Sequence, residues 1–339
     1  MKKVFISVAV IIMCLALSGG LSHSAEKVIT LEFSDWTPVI DPVAALLDQW
    51  CADVEKQTNG RVKINHHPGG TLTPPNQTYD AVVNGIVDVG MGPLGITAGK
   101  FPLMEVMDLP LGLKSSYMAT RLANQVVKQF KPKELSDVKV LYLDTAPPSY
   151  VTTKKPVRNL EDLQGLKIRA LSPVSVKGLK LLGAVPLVIP PSDLYDGLQK
   201  GVVDGTIGPI LILSVMKIAD VAHYTTLNMN SSLVGSGYLV MNKQKWESLP
   251  PDIQQVFDKL SVEYADKKAK LLDKQCDDTL ASVKTKGHTF INLSKAEEDK
   301  WANKLAPVYD DYVKEKSAKG IPAADVLKYA RDWVKTNQK

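Results

Sequence analysis

The chain is poor in the residues that most often carry metal or redox chemistry. It has three cysteines in 339 residues, and only Cys51 and Cys276 lie beyond its first 25 positions. Two cysteines so far apart form no disulfide framework and no cysteine-rich metal site, and their spacing leaves open whether they pair. Beyond the same point the histidines are His66, His67, His223 and His288, none at the spacing of a zinc-binding HExxH motif. His66 and His67 end a strand-like run and read as a surface pair. There is no phosphate-cradling GxxxxGK(S/T) and no GxSxG elbow, and Gly235-Ser236-Gly237 is only a fragment of a dinucleotide-binding pattern. No catalytic constellation emerges, and no cofactor or metal is called for. Charge of one sign is also lacking. Lys and Arg number 41 against 36 Asp and Glu, and they are dispersed, which gives no nucleic-acid footprint. Lys267, Lys268 and Lys270 read as a solvated helix face.

Long apolar runs are absent with one exception. Lys2 and Lys3 precede an apolar stretch over residues 4–17, followed by small and polar residues, the layout of a secretory signal peptide with cleavage after Ser24 or Ala25. Cys14 lies inside the run, which argues against a lipid-anchored cysteine. The expected product is an exported, soluble chain. Its length suffices for two domains with their own cores, and 45% hydrophobic with 23% charged residues is ordinary for a globular protein.

The most informative feature is an internal echo. Residues 190–209 read PPSDLYDGLQKGVVDGTIGP, and residues 74–93 read PPNQTYDAVVNGIVDVGMGP. Tyr79 matches Tyr195, Asp80 matches Asp196, Gly85 matches Gly201, Asp88 matches Asp204, and Gly92-Pro93 matches Gly208-Pro209. Each copy predicts a short helix after two prolines, with Asn76 or Ser192 as its cap. Glycine then ends the helix, and a short buried strand is broken at its tip by Gly-Pro. The equivalent placement of Asp88 and Asp204 predicts a structural role, capping backbone N–H groups. Strand-end loops of open α/β sheets commonly bind ligands. Two copies suggest two lobes offering such loops to one cleft; the alternative is a repeated motif with no site.

The flanking pattern is β-α-β-α-β twice. Strands are predicted near 28–33, 61–66 and 138–143 in the first half, and near 151–153, 166–170 and 185–189 in the second. Helices fall over 42–59, 117–130 and 177–182. Residues 101–112 form a packed crossover whose methionines are core filler. Residues 232–241 form a strand crossing back between lobes, and a helix over about 252–286, roughly 50 Å long, can brace both. A short strand at 290–292 and C-terminal helices over 294–336 complete the chain. The expected division is 26–147 with 233–274 in lobe I, and 148–232 with 275–339 in lobe II.

Arg169 stands at the end of a strand among Leu166, Ile168 and Ala170. A guanidinium held at a partly buried sheet edge needs an acidic partner. A ligand carboxylate suits its planar fork, and an internal salt bridge is the alternative.

Gly165-Leu-Lys-Ile-Arg169, Leu182-Gly-Ala184, Ser192-Asp-Leu-Tyr195 and 198–205 (LQKGVVDG) together resemble the solute-binding proteins of TRAP (tripartite ATP-independent periplasmic) transporters. The likeness covers essentially the whole mature chain. It implies an α/β periplasmic binding protein fold, with two lobes hinged by crossing strands and a long bracing helix. It implies a periplasmic, non-enzymatic, monomeric protein, with Arg169 clamping the carboxylate of an organic acid. Its partners would be that acid and the membrane permease subunits of a transporter driven by an ion gradient. The ligand-facing positions are expected to be Trp36, Pro93, Leu94, Ser149, Tyr150, Pro191, Gly208 and Pro209. Departures from the family pattern point to ligand class. Gly208 replaces an asparagine common in sugar-acid binders, Ser149 or Tyr150 stands where a second arginine often falls, Pro93-Leu94 replaces a polar residue, and Trp36 adds apolar surface. The expectation is a monocarboxylate with an apolar or aromatic body. The alternatives are a receptor for an ATP-driven transporter or a sensor and, from another class, an exported acid-processing lyase or hydrolase, for which no positioned base is evident.

Overall fold

A computed structural model describes residues 28–97, 99–170, 172–228, 231 and 233–337. The leader and its expected cleavage positions lie outside the described residues. β1 (Ile29–Asp35) leads to α1 (Pro42–Gln57), where Pro42 presets the first turn and the Asp41 carboxylate accepts from Val43 N. Asn59 and Gly60, at φ 53° and 77°, end that helix as its Asn-Gly stop predicts. β2 (Val62–His67), α2 (Thr78–Val83) and β3 (Val89–Pro93) follow, then the buried 3-10 turn Met104–Asp108, α3 (Ser116–Phe130) and β4 (Val138–Thr145). The second run is β5 (Ser149–Thr153), β6 (Lys167–Arg169), α4 (Pro173–Leu181), β7 (Val185–Leu187), α5 (Leu194–Gln199), β8 (Gly205–Pro209), α6 (Ile212–Val215) and β9 (Tyr224–Leu227). The chain closes with β10 (Ser236–Asn242), α7 (Lys243–Ser248), α8 (Pro251–Thr285), β11 (Thr289–Asn292), α9 (Lys295–Leu305), α10 (Pro307–Ser317) and α11 (Ala323–Asn337).

The strands form two sheets, ordered β2-β1-β3-β10-β4 and β11-β9-β5-β8-β6-β7. In each, three parallel strands are followed by an antiparallel one, β10 on β3 and β5 on β8. This is the sequence echo in three dimensions. Asp88 exchanges hydrogen bonds with Glu32 of β1 (Glu32 N to Oδ2, 2.8 Å; Asp88 N to Glu32 O, 3.0 Å). Asp204 does the same with Lys167 of β6 (Lys167 N to Oδ2, 2.9 Å; Asp204 N to Lys167 O, 2.7 Å). The repeated aspartates therefore stitch the entry of one strand to its neighbour, the backbone-capping role expected of them.

Two chain segments cross between the sheets, β4 into β5 and residues 233–235 into β10. They bond to one another through Ala146 N to Gly235 O (2.7 Å) and Ser149 N to Leu233 O (2.8 Å). The long helix α8 braces both sheets: Ile253, Phe257, Leu260 and Tyr264 join the core over the first, while Val283 joins the core of the second. The C-terminal helices pack Trp301, Tyr312 and Val326 into a core shared with Leu122 and Val126 of α3 and Val174 and Leu179 of α4. The methionines Met104 and Met107 are buried core, as expected.

Three local expectations are corrected, and one strand was not expected. Neither Asn76 nor Ser192 caps a helix: the carbonyls of Pro74 and Pro190 take the first N–H groups, from Gln77 and Asp193, and Ser192 Oγ bonds the Asp193 carboxylate instead. Lys268 is not solvated, because its turn of α8 faces the first sheet. It is 3% exposed, and its ammonium lies 2.7 Å from Asp144 Oδ2 on β4. His66 is not a surface residue; its ring stacks on Phe33 at 4.7 Å with 4% of the side chain exposed. Finally β9, too rich in threonine to stand out as apolar, is an internal strand. Its Thr225 and Thr226 hydroxyls are satisfied by Thr152, His288 and the Val157 carbonyl.

Candidate ligand-binding site

The C-terminal ends of the parallel strands of both sheets carry the loops singled out by the repeat. In the second sheet Arg169 ends β6, paired with Thr206 of β8. Two residues along β8, Gly208 pairs with Tyr150 and Pro209 with Ser149, so these six residues share one end of one sheet. Arg169 alternates with buried Ile168 and Ala170 and is itself 6% exposed. Its Nε donates to Ile189 O at 3.3 Å, which ties the guanidinium to the loop after β7. Exposed Pro191 opens the 3-10 turn of that same loop. Burial pulls the Arg169 pKa down to about 10, and no carboxylate among the described residues pairs with it to oppose that shift. Among the described residues the internal salt bridge considered from sequence is not formed.

The neighbours of Arg169 add few polar groups. Tyr150 is buried, its phenol pushed up to about 12 by burial and by the Cys276 thiol nearby. Ser149 Oγ is buried without a hydrogen-bond partner among the described residues. A Cβ on Gly208 would meet Ile212 Cδ1 at 2.6 Å, so the space beside that backbone is filled by an isoleucine.

In the first sheet, Pro93 ends β3 and Leu94 N bonds Ser236 O of β10 at 2.8 Å, which seats Leu94 beside the crossing segments. Leu94, Phe101, Met104 and Asp108 share a small recess with Pro173, the first residue of α4 in the second lobe. Trp36 follows β1. It is 37% exposed between two buried residues, Asp35 and Thr37. The Asp35 carboxylate fixes that turn by accepting from Thr37 N (2.9 Å) and Thr37 Oγ1 (2.7 Å).

Two features here escaped the sequence reading. Asp108, hidden in an apolar run broken by prolines, is a buried carboxyl raised to about 7 by desolvation; the Ser172 side chain opposes the rise by a hydrogen bond, and Glu105 adds to it. Lys268 brings a second cation under the first sheet, but Asp144 neutralises it. The arrangement thus offers a buried guanidinium without a counter-charge among the described residues, set among mostly apolar surfaces. Among the described residues no group of His, Cys, Asp and Glu could hold a metal ion.

A profile of the family described as bacterial extracellular solute-binding protein, family 7, matches residues 33–316. The chain belongs to this family. It is a TRAP solute-binding protein of two α/β lobes. It is 30% identical over 284 residues to the C4-dicarboxylate-binding periplasmic protein DctP of Rhodobacter capsulatus, covering 79% of this chain and 82% of that one. A TRAP periplasmic solute-binding protein from Desulfovibrio salexigens is 34% identical with a TM-score of 0.84, covering 92% and 97% of the two chains. A marine metagenome TRAP solute-binding protein specific for aromatic acid ligands, solved with metahydroxyphenylacetate, is 26% identical with a TM-score of 0.86, covering 92% and 100%. Members of the family bind small carboxylates, work with membrane transporter components, and are binding proteins rather than enzymes. Among the described residues no helix is long and apolar enough to cross a membrane.

Proposed function

We propose that this chain is a periplasmic receptor that captures a monocarboxylic acid with an apolar or aromatic body and hands it to the membrane subunits of a TRAP transporter. It performs no chemistry on its ligand and acts as a monomer after loss of the leader at Ser24 or Ala25. The observation that carries this reading is the buried Arg169 guanidinium, which has no carboxylate partner among the described residues. An uncompensated buried charge costs several kcal/mol, and a bidentate carboxylate relieves that cost with two charge-assisted hydrogen bonds. A neutral analogue leaves the charge unpaired and is rejected.

The apolar body follows from the surroundings. Trp36, Leu94, Tyr150, Pro191 and Pro209 present rings and aliphatic carbon, Gly208 offers no side chain, and the polar hydroxyl of Ser149 is small. Lys268, the cation that could answer a second carboxylate, is neutralised by Asp144. The relative specific for aromatic acids supports this class, while the one from Rhodobacter capsulatus is named for dicarboxylates. Thermal shift against aromatic monoacids, aliphatic monoacids, dicarboxylates and sugar acids separates the two. Selective stabilisation by aromatic or apolar monoacids is the expected result. Stabilisation by dicarboxylates alone overturns the ligand class and leaves the transport role standing.

A further inference from the structure

His66 lies outside the set of ligand-facing residues, yet it is tied to them. Its ring bridges two carboxylates, Nε2 to Asp35 Oδ2 at 3.2 Å and Nδ1 to Asp48 Oδ1 at 2.8 Å, and it stacks on Phe33. A neutral imidazole has one N–H and can donate to only one carboxylate; donating to both requires the imidazolium. Asp35 is wholly buried and ends β1. While one of its oxygens faces His66, the other holds Thr37 N and Thr37 Oγ1. Its backbone carbonyl accepts from Gly70 N and that of Thr37 from Gly69 N, both at 2.8 Å, so the loops after β1 and β2 are sewn together at this point. Trp36 is the residue between the two anchors.

We propose that His66 is a positioning residue: its protonated ring, clamped between Asp35 and Asp48, holds the turn that presents Trp36 to the cleft, so that ligand affinity responds to pH. The affinity arm rests on the reading of the cleft as an acid site; the coupling of His66 to Trp36 does not.

The charges around the ring favour protonation. Facing it are Asp35 from β1 and Asp48 from α1; the Cys51 thiol of α1, pushed up by burial and further by both aspartates, shares the field of the same two carboxylates. Tyr142 of β4 shares the field of Asp35, and Lys268 of α8 is spent on Asp144. His67 and Asn65 point to the other face of β2, where they bond Glu32 at 2.7 Å each. Burial pulls the His66 pKa down, but the hydrogen bonds and charges of Asp35 and Asp48 outweigh it, and the net shift is upward. The clamp is therefore complete at low pH and is lost as pH rises through this raised value. Carboxylic acid ligands are ionised over that whole range, and Arg169 remains charged below about 10.

The test follows emission due to Trp36, taken as wild type minus Trp36→Phe, from about pH 5.5 to about 8.5, a range that spans histidine titration. The dissociation constant for meta-hydroxyphenylacetate is measured alongside. The expected result is one transition in Trp36 emission that His67→Gln keeps and His66→Gln removes. Asp48→Asn, a change at an exposed partner, should move its midpoint to lower pH. Affinity should fall through the same midpoint, about tenfold if binding raises the His66 pKa by about one unit. Wild-type emission that stays flat, or a transition that survives in His66→Gln, overturns the proposal. A His66-dependent transition in a protein that binds no acid supports the coupling and sinks the acid-site reading instead.

Discussion

Lys268 of the long helix and Asp144 of β4 form a buried ion pair, with Nζ 2.7 Å from Oδ2 and the lysine 3% exposed. Asp144 lies one residue before the end of β4 and pairs with Gly237 of β10, so this bond pins the bracing helix to the segments that cross between lobes. Asp144 Oδ1 has no hydrogen-bond partner among the described residues, which leaves the carboxylate dependent on Lys268.

Breaking such a pair from one side is costly because the remaining charge is stranded. Lys268→Met should destabilise the protein by about 3–5 kcal/mol, read as a fall in denaturant midpoint at unchanged slope. Lys268→Met combined with Asp144→Leu should recover most of the loss. A single mutant within 1 kcal/mol of wild type, well under the roughly 3–5 kcal/mol expected for a stranded charge, would show that water reaches the site.

Asp108 makes stability fall with rising pH in a defined window. Its folded pKa of about 7 lies above the unfolded value near 3.8, so the folded state holds a proton the unfolded state has released. Stability is fully present below about 4, declines as pH rises toward 7, and is flat above, a loss of up to about 4 kcal/mol as an order of magnitude. Asp108→Asn should abolish that decline and unfold at higher denaturant than wild type at pH 8, where the wild-type carboxyl is ionised. A pH profile identical to wild type would contradict the assignment.

The repeated aspartates should matter for folding and not for binding. Asp88→Ala strands the half-buried Glu32 N–H at an expected cost of about 1–3 kcal/mol, whereas Asp204→Ala removes a more exposed bond to Lys167 N, which water can replace, at about 0.5–1.5 kcal/mol. Ligand affinity measured calorimetrically below the unfolding transition should stay within about threefold of wild type, under 1 kcal/mol. Loss of binding in a folded Asp204→Ala protein would show that these carboxylates serve the site and not only the backbone.

At Gly208 the prediction concerns selectivity. An asparagine there must displace the Ile212 δ-methyl, since its Cβ would lie 2.6 Å away, and it sets an amide beside Tyr150. Gly208→Asn should weaken binding of aromatic monoacids about tenfold or more, the cost of a polar group placed against an apolar ligand body. It should not weaken a hydroxylated acid in proportion. Equal losses for both would mean that the residue only damages the local backbone.

The two sheets and their repeated units were legible because the cues are local. Pro-Pro, glycine after a short helix, and Gly-Pro at a strand tip are backbone constraints that a linear reading can find, and Gly85 and Gly201 do adopt φ of 70° and 75°. The long helix was legible from its apolar period and its Pro-Pro start. What was not legible depends on partners distant in sequence. Lys268 reads as one lysine of a charged run until β4 supplies Asp144, and His66 reads as exposed until Asp35 and Asp48 close around it. Asp108 gives no signal beyond being a lone acid in an apolar stretch. Arg169 stood out because its neighbours mark a buried strand, but that no carboxylate among the described residues pairs with it required the fold.

The most direct test of the central claim is calorimetric titration of wild type and Arg169→Ala with the acid that gives the largest thermal shift. The account predicts a folded Arg169→Ala protein with affinity reduced at least a hundredfold, about 2.7 kcal/mol or more. It should resist unfolding at least as well as ligand-free wild type, because the mutation removes a buried charge that no carboxylate among the described residues pairs with. Near-wild-type affinity in a folded Arg169→Ala protein would contradict the assignment of Arg169 as the carboxylate clamp.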